Sequence, residues 1–102
     1  MKYQLVLQWP ATSIKDFDDL IKVENILEEN LSTSSEVDGH DAGSGEMNIF
    51  ILTDDPAGTF VEVERALSSN GMWADARVAY RELDGEAFSV LKPKNLTDFK
   101  VA

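Results

Sequence analysis

Residues Lys2 to Trp9 alternate, with Tyr3, Leu5, Leu7 and Trp9 on one side and Gln4, Val6 and Gln8 on the other. A period of two predicts a half-buried strand, and Pro10 ends it. The period then changes. Ser13, with Asp16 three residues on, resembles a capping box in which Asp replaces the usual Glu or Gln, and it opens a helix to about Leu31. At about 100° per residue, Ile14, Phe17, Leu20, Ile21, Leu27 and Leu31 gather on one side. Asp18, Asp19, Lys22, Asn25 and Glu29 fall opposite or on the flank. Ile26 points away from the apolar arc, and Glu24 falls near its middle.

Leu31 to Ser35 has the composition of a loop. Glu36 to Asp41 reads as a short strand, Ala42 to Gly45 as its turn, and Glu46 to Thr53 as a second arm. That arm is apolar on both faces, Met47, Ile49 and Ile51 against Phe50 and Leu52, which suits an interior strand. Asp55-Pro56 is an acidic N-cap followed by a first-turn proline. It starts a helix with the stripe Phe60, Val63 and Leu67 and a stop at Asn70-Gly71. Trp73 to Leu83 predicts a strand, and Asp84-Gly85 a tight turn into a last strand, Ala87 to Leu91. Residues 92–102 form a tail after which no element is predicted, although Leu96 and Phe99 could dock on the body.

The order β-α-β-β-α-β is the split βαβ pattern, and 102 residues is the length of a single domain. The fold class expected is α+β: a two-layer ferredoxin-like sandwich with an added C-terminal strand. Right-handed crossovers give an antiparallel sheet of order 5-4-1-3-2 with both helices on one face.

The hairpin segment VDGHDAGSGEMNIFI, followed by TDDP (Val37 to Pro56), resembles a segment of small, mostly uncharacterised bacterial single-domain proteins. The resemblance implies a compact α/β domain and assigns no functional residue.

Charge narrows the function more than it narrows the fold. The formal net charge is −10, which disfavours nucleic acid and anionic membranes as partners. Eleven Asp and Glu lie between Lys22 and Arg65 with no Lys or Arg among them, so one side should be acidic and steer basic partners. A solvated acidic surface without a partner is the plainer explanation. The absence of cysteine excludes disulfides, thiolate catalysis and cysteine-ligated zinc. The start, MKYQLVLQWP, lacks the apolar run of a secretion signal, and the expected location is the cytoplasm.

Three places could carry chemistry. A carboxylate on the apolar face of a helix, as at Glu24, loses hydration and needs a donor. His40, the only histidine, could supply it, and a Glu–His pair can perform general acid–base catalysis. Two bland alternatives compete: Glu24 could snorkel to water, or bond the loop at Ser32 to Ser35. Second, spacing of two places Glu36, Asp38 and His40 on one strand face, with Asp41 and Glu46 near from the turn. Such a set could bind a cationic partner or, more weakly argued, a divalent metal. Charges that protect an edge strand explain it without either. No metal site is assigned, and with no dinucleotide fingerprint no cofactor is expected. Third, the sheet face away from the helices would carry Val6, Phe50 and Leu52 at an apolar centre, with Arg77 and Arg81 on its rim. The tail, a second copy or a partner should cover it, self-association or the tail ahead of a foreign partner.

The leading expectation is a non-enzymatic domain whose acidic hairpin side binds a basic protein, as an immunity protein binds a toxin. One alternative is a small enzyme using Glu24 and His40. Another is a homodimer through the open sheet face with a small-ligand site.

Overall fold

The computed structural model describes residues 2–10, 14–32, 35–43, 45–96 and 99–101, with backbone alone at 14–16 and 43. The elements are β1 (Tyr3–Pro10), α1 (Ile14–Asn30), β2 (Ser35–Gly43), β3 (Glu46–Thr53), α2 (Pro56–Leu67), a 3-10 turn (Trp73–Asp75), β4 (Arg77–Glu82) and β5 (Ser89–Lys92). The strands form one antiparallel sheet in the order β2-β3-β1-β4-β5, which is 5-4-1-3-2 counted from the other edge. The architecture is α+β and consistent with a ferredoxin-like sandwich.

Alternation along β1 decides what lies on each side. Leu5, Leu7 and Trp9 join Met47, Ile49, Ile51 and Val78 beneath Leu20, Val23 and Leu27 of α1 and Val63 and Leu67 of α2. Both helices therefore cover one face. On the other, Val6 lies opposite Phe50 and Ala79, and Gln8 opposite Asn48 and Arg77. This second face is not open. Phe99, only 8% exposed, packs over Val6 and Ala79 with Leu96, Val101, Phe88 and Val90 beside it. Gln8 Nε2 fastens the tail, donating to Asn48 Oδ1 at 3.2 Å and to the Lys100 carbonyl at 2.7 Å. Val6 is thus fully buried within its own chain and offers nothing to a second copy. Phe50, Leu52 and Arg81 stay half-buried, and Arg77 is exposed.

The helix starts differ in how much can be said of them. Asp55 caps α2, accepting from the Gly58 N–H at 3.1 Å, with Pro56 in the first turn. The expected Ser13–Asp16 capping box lies outside the described residues. Within α1 the packed stripe is Leu20, Val23 and Leu27, whereas Phe17 is 37% exposed and Ile26 half-buried against the core. Contact with β2, β3 and α2 sets that stripe, and a helical wheel cannot see the contact.

Two strand boundaries also shift. Trp73 opens a 3-10 turn rather than β4, because local bonds compete with the ladder. Asn70 Oδ1 accepts from the Met72 N–H at 2.8 Å, and the Asn70 carbonyl from the Trp73 N–H at 3.0 Å. Trp9 Nε1 then holds the Met72 carbonyl at 2.8 Å. At the other end of β4, a turn closes from the Gly85 N–H to the Glu82 carbonyl at 3.0 Å, yet pairing resumes only at Ser89. Arg81 explains the delay, since its Nη1 donates to the carbonyls of Glu82, Leu83 and Gly85. Lys92 ties β5 back to the 3-10 turn, reaching the carbonyls of Trp73, Ala74 and Ala76, with its ammonium 4.6 Å from the Trp73 ring. Burial holds that ammonium below the usual lysine value, with Asp75 and Glu64 acting the other way.

Because Phe99 is the buried anchor of the tail, Phe99→Ala should destabilise the fold by about 3 kcal/mol in urea denaturation. A loss under about 0.5 kcal/mol, the range of surface substitutions, would mean that the tail contributes no packing.

Candidate functional site

The local geometry of β2 decides which polar residues can meet. Val37 lies opposite Ile51 and Gly39 opposite Phe50, so Asp38 is an extra residue in the ladder, a β-bulge. Gly39 has φ +117°, a conformation that side chains disfavour. Past the bulge the alternation reverses. Val37 and His40, three residues apart, both lie opposite helix-facing residues, Ile51 and Ile49. Glu36 and Asp41 lie opposite Leu52 and Asn48, on the face away from the helices. The expectation that Glu36, Asp38 and His40 share one face is therefore wrong, and the bulge is the reason. Among the described residues no three His, Asp or Glu are close enough to hold a metal ion.

The bulge aims His40 at α1. Its Nδ1 lies 3.1 Å and 3.0 Å from the two carboxylate oxygens of Glu24. Glu24 is a buried carboxylate, 9% exposed, set on the face of α1 that also carries Leu20 and Leu27. Phe17 meets the imidazole edge-on, with ring centroids 5.7 Å apart. The alternative partner for Glu24 is the loop at Ser32 to Ser35, of which only Ser32 and Ser35 are among the described residues. Ser32 donates through both N–H and Oγ to Glu62 Oε1, each at 3.1 Å. A carboxylate facing Nδ1 favours the tautomer with hydrogen on that nitrogen, which leaves the Nε2 lone pair free for a proton or a ligand. The pair has the arrangement of an acid–base dyad.

None of the principal clefts among the described residues is lined by Glu24 or His40. A cleft of about 530 Å³ lies instead between the start of α2 and the β4–β5 connection, lined by Tyr3, Asp55, Tyr80, Arg81, Glu82 and Glu86 among others. Of these, the sequence singled out only Arg81 for a functional surface, as a rim residue of the sheet face, and the cross-strand register that sets Tyr3 opposite Glu82 and Tyr80 opposite Leu5 exists only in the folded sheet.

The other expected binding residues stand apart from the pair. Glu36, Asp38 and Asp41 are exposed and make no ion pair among the described residues. Glu46 is half-buried beside a small cleft that includes Arg77. Comparison with protein-family models, curated proteins and solved structures finds no match.

Two outcomes follow from the bulge. Neutral His40 should carry its hydrogen on Nδ1, read from imidazole ¹⁵N shifts, and Glu24→Ala should restore the Nε2–H tautomer. Gly39→Ala should cost about 1–3 kcal/mol through backbone strain and perturb the His40 ring signals. A variant as stable as wild type, with unmoved His40 signals, would mean that the bulge does not hold the pair.

Proposed function

We propose that the protein is a non-enzymatic binding domain that engages a basic protein through its acidic hairpin side. The observation that carries this reading is the state of the β2 carboxylates: Glu36, Asp38 and Asp41 are exposed and without an ion-pair partner among the described residues. They belong to the stretch from Glu24 to Glu64 that has no Lys or Arg to neutralise it. Such a surface attracts cationic partners from a distance and speeds their association. The formal charge of −10 supports a basic protein over nucleic acid. No described helix is long and apolar enough to cross a membrane. The proposed setting is the cytoplasm, and inhibition of a basic toxin is one role that such a surface could fill.

A second reading, a small enzyme, is favoured by one observation, the Glu24–His40 contact. His40 would act as base through Nε2, and Glu24 would position it. The reading needs a substrate cleft beside the pair, and the clefts described lie elsewhere.

The immobilised full chain should capture a basic protein that elutes as salt is raised, because exposed charge pairs are screened. The variant Glu36→Gln/Asp38→Asn/Asp41→Asn should lose that capture while its circular dichroism stays unchanged. Capture that ignores both salt and the triple substitution would overturn the proposal.

A further inference from the structure

Two α-helices, each about 10 Å wide, can roof about four strands spaced about 4.8 Å apart. This sheet has five. α1 packs on β2 and β3 and α2 on β1, and Val78 of β4 lies in the core they share, so the least covered corner falls at the Tyr80–Glu82 end of β4 and at β5, beside the start of α2. The cleft of about 530 Å³ lies there.

Its walls have a definite chemistry. Tyr3 and Tyr80 meet edge to face, with ring centroids 5.9 Å apart. Such an aromatic pair presents the electron-rich surface on which a planar cation stacks. Glu82 and Glu86 add carboxylates that are exposed and make no ion pair among the described residues. The one guanidinium in the wall, that of Arg81, makes no ion pair with them, its Nε and Nη1 donating to Gln4 Oε1 and to the carbonyls of Glu82, Leu83 and Gly85, and its single positive charge is outnumbered by Asp55, Glu82 and Glu86. This loop therefore already shows the backbone arrangement that accepts a guanidinium. An adjoining cleft shares Tyr3 and Glu82 and adds Asp84, Lys2 and Leu83, the last 40% exposed, which extends the surface along the end of the sheet.

We propose that this cleft receives an arginine side chain of the partner protein. The aromatic walls favour arginine over lysine, because a planar guanidinium stacks where a compact ammonium does not. Leu83 supplies apolar surface for the aliphatic stem. The assignment rests on the acidic-binding reading above and gives it a second anchor, at the opposite edge of the sheet from β2.

The test is an amide NMR titration of the full chain with N-acetyl-arginine amide, with N-acetyl-norleucine amide as the uncharged control. Saturable shifts in residues 80–89 at about millimolar concentration are expected, as suits a ligand the size of one side chain. Glu82→Gln/Glu86→Gln should weaken that binding by about three- to tenfold. An absence of saturable shifts, or equal shifts with the norleucine compound, would overturn the assignment. Methylguanidinium binding as tightly as the capped arginine would overturn the side-chain assignment in favour of a free small cation. Shifts confined to Glu36–Asp41 would remove the cleft and leave the acidic-hairpin reading standing. No shift at either place, together with no salt-sensitive capture, would remove both.

Discussion

Everything in this fold depends on β1 being buried on both faces. It lies at the centre of the sheet, between β3 and β4. Leu5 and Leu7 carry no exposed surface on the helix side, and neither does Val6 on the other. Two helices can cover only one of these faces. The other needs a roof, and the chain supplies it from its own tail, with Phe99 over Val6 and the Lys100 carbonyl on Gln8. Gln8 and Asn48 are buried polar side chains, so their hydrogen bonds are obligatory. They fix where the tail lies, while the apolar contacts supply most of the stabilisation.

This double coverage also determines where the protein can offer surface to anything else. The sheet centre is closed on both sides. What remains accessible includes the outer faces of the helices, the two sheet edges and the corner beside the start of α2. The β2 edge carries acidic side chains and a bulge, features that discourage strand addition. The β5 corner carries tyrosines and carboxylates around a cleft.

Much of this was legible in the sequence, for identifiable reasons. Period-two alternation in β1 and β3 and the Asp55-Pro56 start of α2 report local preferences that packing reinforces. Glu24 stood out because a carboxylate among Leu20, Ile21 and Leu27 breaks an apolar stripe. His40 was one of two candidate donors, with the loop at Ser32 to Ser35, and His40 and Glu24 do meet. The failures have separate causes. The bulge at Asp38 inserts one residue, and a single insertion sends every later side chain to the opposite face. Strict alternation therefore misplaced His40 relative to Glu36. Trp73 and the β4–β5 loop were misread for another reason: Asn70, Trp9 and Lys92 shape the turn after α2, and Arg81 holds the carbonyls of Glu82, Leu83 and Gly85. The β4–β5 cleft was invisible because it arises from the mismatch between two helices and five strands, which no segment encodes alone.

The Glu24–His40 contact can be explained without catalysis. A carboxylate this far from water needs a hydrogen-bond donor, and a cationic one satisfies it best. From Val23 to Glu64 the chain contains no Lys or Arg, so His40 is the only side chain in that interval able to carry positive charge. The bulge at Asp38 brings it onto the helix side, where Val37 also packs. The glycine at φ +117° that makes this turn accessible is thus accounted for by the burial of Glu24. That contact has a structural explanation, and so do the β2 charges, which protect an edge strand. The exposed carboxylates of β2 and the aromatic, acidic corner at β5 would also favour positive charge from outside the chain, and that supports the binding role proposed above.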